Sequence, residues 1–160
     1  MIVHCFTRRL CYNFVIMIRQ FLKATKIKDA MSSPVITVKE TDDFVLVHEK
    51  FHTYDIRHIP VVNDAGGVTG LITQHDLYKI HSPRKLEDGS WYYDKELLNG
   101  FILKNVMIAN PFTLKAQQAL FEAVEAMVQF KFGCIPITDN YRLPVGILTR
   151  ADILKFLLIK

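Results

Sequence analysis

The sequence predicts an α/β (α+β) fold in which two β-α-β-β-α units pack on each other about a pseudo-two-fold axis. Three observations predict it. Sliding the 160-residue chain on itself by 76 positions aligns residues 28–79 with 104–155 without a gap, and 11 of the 52 pairs are identical. Each copy carries short β-prone runs and one apolar stretch of helical period in the same order. A copy of about 50 residues buries too little surface to stand alone, so the two should bury their apolar faces together.

The identical pairs are Lys28/Lys104, Met31/Met107, Thr37/Thr113, Lys39/Lys115, Glu49/Glu125, Ile59/Ile135, Pro60/Pro136, Gly70/Gly146, Thr73/Thr149, Asp76/Asp152 and Lys79/Lys155. They divide the chain into a basic N-terminal arm or helix at 1–25, a first copy at 26–80, a linker at 81–101 and a second copy at 102–160. Residues 35–38 and 112–114 are β-prone, and the polar stretches 40–43 and 116–118 have helix-start character. Phe44, Val47 and Phe51, matched by Leu120, Ala123 and Met127, then recur at the spacing of an amphipathic helix. Strands follow at 58–62 and 68–73, and again at 134–138 and 145–149, joined by turns whose Gly and Asn residues tolerate φ > 0. A last helix starts at Gln74 and at Arg150. In the linker, Trp91, Tyr92 and Tyr93 are too apolar for a free tether and are expected against a domain surface or a partner, and residues 94–103 read as helical.

Composition narrows the class. With 50% hydrophobic and 22% charged residues the chain reads as a soluble globular protein rather than a disordered or disulfide-dense one. The net charge of +4 is local: Arg8, Arg9, Arg19, Lys23, Lys26 and Lys28 all precede the first acid, Asp29, and without them the body holds 14 cations against 16 acids. A nucleic-acid or membrane-surface role, if any, would belong to the arm, and nucleic acid is not expected as a partner of the body. Cys5, Cys11 and Cys134 are odd in number and form no CxxC, which points to a reducing, cytoplasmic setting. The most membrane-like stretch, residues 10–18, is interrupted by Asn13 and far short of the roughly 20 residues a spanning helix needs. Arg8 and Arg9 before that stretch suggest a signal peptide, but no small-x-small cleavage site follows. Met17 opens a natural domain start, so residues 1–16 read as an extension.

The most regular motif is Gly70-x-x-Thr73-x-x-Asp76, repeated as Gly146-x-x-Thr149-x-x-Asp152. At a strand-to-helix junction, Thr followed three residues later by an acid is first of all a capping box. The same corner can serve a ligand: free N–H groups and the dipole of a helix start attract an anion, and a carboxylate accepts from the two hydroxyls of a ribose. Thr for phosphate and Asp for ribose make a coherent nucleotide half-site.

With this motif, the opening Met31 and Met107, the first-strand Thr37 and Thr113, and the runs Arg57-His58-Ile59-Pro60-Val61 and Gly133-Cys134-Ile135-Pro136-Ile137, the chain resembles a tandem cystathionine-β-synthase (CBS) domain pair, the Bateman module, over residues 26–158. Its stand-alone layout is similar to that of acetoin-utilisation regulators. The resemblance implies a regulatory sensor of an adenosine-containing ligand, AMP, ADP, ATP or S-adenosylmethionine, working as a homodimer or through an unknown protein receiver, with no cofactor, metal or catalytic activity. By position it implies that Asp76 and Asp152 hold ribose and that Thr73 and Thr149 face phosphate. Ile56, Arg57 and His58 before Pro60, and Phe132, Gly133 and Cys134 before Pro136, would line the adenine slots, closed by Ile36, Thr37, Phe112 and Thr113. Arg57 and His75 are the cations of the first half-site and Arg150 that of the second, which is better equipped because Phe132 offers a stacking face and Gly133 a close backbone approach. Pro34 falls one position earlier in its copy than Pro111 does, so the two openings need not superpose.

Two alternatives remain. Thr and Asp could be caps alone in a ligand-free interaction module that drives oligomerisation. His48-Glu49-Lys50-Phe51-His52 fits the HExxH pattern of zinc peptidases, but Val124 and Val128 occupy the aligned positions and no third ligand follows convincingly.

Overall fold

A computed structural model describes residues 3–80, 84–88, 91–92 and 103–159. The order is α1 (Val3–Ala24), a 3-10 turn (Ile27–Asp29), β1 (Val38–Lys39), α2 (Phe44–Thr53), β2 (His58–Val62), β3 (Val68–Thr73), α3 (Gln74–Ile80), β4 (Arg84–Lys85), β5 (Trp91–Tyr92), α4 (Leu103–Val106), β6 (Ile108–Ala109), α5 (Leu120–Gln129), β7 (Cys134–Thr138), β8 (Pro144–Thr149) and α6 (Arg150–Ile159).

Local chemistry sets the helix starts. The Asp43 carboxylate accepts the Leu46 N–H at 2.7 Å, and α2 then buries Phe44, Val47 and Phe51. Glu122 reaches back to accept the Ala119 N–H at 3.2 Å, and α5 buries Leu120, Ala123 and Met127. The hairpins β2–β3 and β7–β8 share one register, with His58 opposite Thr73 and Cys134 opposite Thr149, and each carries its irregularity at the equivalent place.

The expected first strands are much shorter than residues 35–38 and 112–114. In the first copy only Val38–Lys39 pairs in parallel with β2, and in the second a single bridge joins Leu114 to Ile137. The chain upstream is engaged elsewhere. β6, the opening of the second copy, pairs with β3 of the first through Leu71 and Ile108, and Ser32, in the opening of the first, exchanges both backbone bonds with Ile147 of the second at 2.9 and 3.0 Å. Pro34 and Pro111, which have no N–H to offer a ladder, stand between these bridges and the strands that follow.

The openings therefore cross over, and the side chains follow. Leu103 and Met107 sit in the first copy's core with Phe44, Val47, Ile59 and Ile72, whereas Leu22 and Ile27 sit in the second's with Leu120, Ile135 and Leu148. Ile27 and Leu103, like Met31 and Met107, are 76 positions apart. A β-carbon on Gly70 would overlap the Met107 sulfur, and one on Gly146 would lie 2.6 Å from the Met31 sulfur and 3.0 Å from the Ser32 carbonyl oxygen. Two of the identities, Met31/Met107 and Gly70/Gly146, are thus one contact made twice. The end of α1 belongs to the same packing: Leu22 is buried, Phe21 stacks on Phe156 with ring centroids 6.2 Å apart, and Arg19 and Lys23 lie over the Phe121 ring.

In the linker, β4 pairs with β5 through Arg84–Tyr92 and Lys85–Trp91. The helix expected at 94–103 lies outside the described residues except for Leu103, which opens α4, and Tyr93 lies outside them as well.

Candidate functional site

Each Gly-x-x-Thr-x-x-Asp motif turns the end of a third strand into a helix. In the first copy, Asp76 Oδ2 accepts from the Thr73 N–H at 2.9 Å and its hydroxyl at 2.7 Å. In the second, Asp152 Oδ2 accepts from the Thr149 N–H at 2.8 Å and its hydroxyl at 2.5 Å, while Thr149 Oγ1 accepts the Asp152 N–H at 3.2 Å. The second is a reciprocal capping box, and in the first Asp76 supplies the same carboxylate half. The helix starts offer an anion fewer free donors than the sequence suggests, because Gln74 N–H donates to the Arg57 carbonyl and Arg150 N–H to the Gly133 carbonyl.

The surroundings of the two corners differ. Asp76 is only 3% exposed. Beside it Arg57, His58, Thr73, Gln74 and His75 line a hollow of about 300 Å³. Asp152 is half-buried, its Oδ1 accepts the Ser32 hydroxyl at 2.9 Å, and it lies on a cleft of about 800 Å³. That cleft joins Thr149, Arg150, Asp152, Lys155 and Gly133 of the second copy to Ser32, Asp55, Ile56, Arg57 and His58 of the first. Arg57 and His58 therefore wall both spaces, which their place in the first copy's motif does not suggest. Ser32 and Lys155 also line the larger cleft, and the one sequence signal for either is the repeat identity Lys79/Lys155.

Charge in the larger cleft is mixed with a cationic surplus. Arg57, Arg150 and Lys155 face Asp55 and Asp152. Arg150 gives its Nε–H to the Phe132 carbonyl and one terminal N–H to the Lys131 carbonyl, both at 2.8 Å, which uses two of five donors and holds the guanidinium at the rim. Burial pushes the His58 imidazole below its usual pKa, Arg57 and Arg150 add to the effect, and Asp76 opposes it. The neutral ring can still donate or accept.

The remaining predicted residues gather elsewhere. Phe112, Phe132, Cys134 and Pro136 line a slot of about 60 Å³ together with Leu71 and Ile108, and Phe130 joins Phe112 and Phe132 in a cluster with ring centroids 5.4 to 6.3 Å apart. The Cys134 thiol is buried and its pKa is pushed up to about 12, chiefly by burial and further by Asp152, so it is a packing group rather than a nucleophile. Pro60 is buried in β2; Ile36, Thr37 and Thr113 are half-buried, and the Thr37 carbonyl accepts from Lys50 Nζ at 2.7 Å. In the HExxH run, His48 and His52 bring their Nε2 atoms to 3.1 Å, and among the described residues no group of three His, Cys, Asp or Glu side chains gathers to hold a metal. Among the same residues, no helix is long and apolar enough to cross a membrane.

A family model, the CBS domain, matches residues 27–82 and 103–159. An uncharacterized protein of Methanocaldococcus jannaschii, MJ1225, is 30% identical over 87% of this chain and 46% of its own length, so the chain spans less than half of that relative. Among solved structures, the CBS domain pair of protein MJ0100 in complex with 5-methylthioadenosine and S-adenosyl-L-methionine superposes with a TM-score of 0.68 at 23% identity, covering 83% of this chain and 95% of that one. A putative acetoin utilization protein from Vibrio cholerae gives 0.69 at 24% identity over 84% and 91%. CBSX2 in complex with AMP gives 0.68 at 19% identity over 84% and 96%. At these identities the structural likeness is one of fold.

Proposed function

The chain belongs to the CBS domain family, and from that premise we propose that it is a regulatory module whose 800 Å³ cleft binds an adenosine phosphate, AMP, ADP or ATP, in preference to S-adenosylmethionine. The observation that carries the reading is the convergence of Arg57, Arg150 and Lys155 on the Thr149–Asp152 corner. Three permanent cations against two acids favour a phosphate over a sulfonium. Asp152 then holds the ribose by exchanging its bond from Ser32 for bonds from the sugar hydroxyls, and Ile56 and Gly133 flank the base. The complexes of MJ0100 and CBSX2 with adenosine-containing molecules support the ligand class. Because Ser32 and Gly133 come from different copies, a ligand bridging them biases how the copies sit on each other. It can pass on only its differential affinity for two arrangements, about 1–3 kcal/mol, to a sister subunit or a separate protein receiver in the cytoplasm.

Calorimetric titration of AMP, ATP and S-adenosylmethionine into the wild type and Asp152→Ala tests this. Nucleotide binding that Asp152→Ala weakens, with a weaker response to S-adenosylmethionine, is the expected result; absence of heat with all three removes the reading. One observation favours a ligand-free interaction module instead: both Asp carboxylates already cap their helices. In that case Asp152→Ala costs capping stability alone, about 0.5–2 kcal/mol.

A further inference from the structure

We propose that His48 and His52 form a two-imidazole chelate for a first-row divalent transition ion on α2, a site separate from the nucleotide cleft. The residues are one helical turn apart, so their side chains share a face. Their ring centroids are 4.5 Å apart and their Nε2 atoms 3.1 Å apart. Metal–imidazole bonds run about 2.0–2.1 Å, so two such nitrogens on one ion stand roughly 2.9 Å apart at a right angle and roughly 3.3 Å apart at the tetrahedral angle. The observed separation falls between the two, and the rings need no new backbone geometry to clasp an ion.

The close approach itself calls for something between the nitrogens. In the neutral pair one Nε2 carries the hydrogen and the other accepts it. An ion binding both lone pairs takes the place of that hydrogen, which reappears on Nδ1 of the same ring, so the exchange balances as a change of tautomer. The repeat supplies the second argument. Val124 and Val128 occupy the equivalent places on α5, so the fold asks for no imidazole there. Lys50, the cation between the two histidines in sequence, is drawn to the Thr37 carbonyl. His52 is exposed, giving solvent access, and among the described residues no third His, Cys, Asp or Glu side chain gathers with the pair. Two imidazoles order the ions with Cu²⁺ above Ni²⁺ and Zn²⁺.

Equilibrium dialysis of the full chain against NiCl₂ and ZnCl₂ with elemental analysis, and the nitrogen hyperfine pattern of added Cu²⁺ by electron paramagnetic resonance, read the site directly. His48→Ala and His52→Ala should each weaken one equivalent of bound Ni²⁺ by roughly tenfold or more, and the double variant should add little to either, since a chelate is lost with its first ring. The Cu²⁺ spectrum should show two equivalent imidazole nitrogens in the wild type and lose that pattern in each variant. Unchanged Ni²⁺ stoichiometry and affinity in the double variant, with circular dichroism confirming the fold, overturns the proposal. So does a Cu²⁺ spectrum insensitive to both substitutions.

Discussion

The two copies build the same Thr–Asp corner and put it to different use. Each carboxylate accepts from the N–H and hydroxyl of its threonine, and each following helix begins with an N–H bound to the carbonyl of the residue before the second strand. Asp76 is sealed, while Asp152 looks into the large cleft and reaches across the copy boundary to Ser32. A repeated motif thus fixes local geometry, and its neighbours decide whether it meets solvent. The open corner at Asp152 faces Arg57 and His58 of the other copy across the cleft.

The comparison breaks first at the crossover. Gly146→Ala must push aside both the Met31 side chain and the Ser32 carbonyl, whereas the three atoms nearest a Gly70→Ala methyl all belong to the adaptable Met107 side chain. Overpacking costs about 1–3 kcal/mol, and Gly146→Ala should lie at the top of that range and Gly70→Ala near the bottom, read as urea midpoints at constant slope. Equal costs would mean that the two crossovers are mechanically equivalent.

The corners themselves come next, with opposite rankings in two assays. Asp76→Ala leaves the Thr73 N–H and hydroxyl without their acceptor beside a buried position, a loss of about 1–3 kcal/mol, and should leave nucleotide affinity in the larger cleft nearly unchanged. Asp152→Ala should cost less stability and more affinity. Matching rankings in melting and titration would dissolve the distinction between a sealed and an open corner.

The smallest effect distinguishes His58 from its equivalent, Cys134. The folded His58 pKa lies below the ordinary 6.5, so below pH 6.5 the unfolded chain takes up this proton more readily and stability falls with pH toward the lowered folded value. Cys134 works at the other end: its pKa rises from 9.0 to about 12, so stability falls as pH climbs through that interval. His58→Gln should flatten the acid limb of a melting-temperature profile and Cys134→Ala the alkaline limb. A profile unmoved at either end would show that burial there is relieved by water.

Much of this was legible in residues 28–79 and 104–155. Phe44, Val47 and Phe51 announce α2 by their spacing, and the aligned Leu120, Ala123 and Met127 announce α5, because an apolar face needs that period to reach a core. The crossover was not legible. Self-alignment shows that Met31 corresponds to Met107 and Gly70 to Gly146, but a contact within each copy and a contact exchanged between copies leave the same identities. The exchange also explains the shortened first strands and the mixed walls of the cleft. Asp76 and Asp152 are identical letters whose burial depends on residues far along the chain, and the helix-start N–H groups that the motif seemed to offer are taken by Arg57 and Gly133 carbonyls that no local pattern reveals.

The crossed openings mean that neither half owns a complete interior. Ile27 packs among Leu120, Ile135 and Leu148, 93 to 121 positions later in the chain, and Leu103 packs among Phe44, Ile59 and Ile72 of the first copy. Cutting the chain within 81–101 would therefore yield two fragments that fold only by finding each other. Heating the intact protein should give one melting event rather than two, with the pair rising and falling as a single thermodynamic unit.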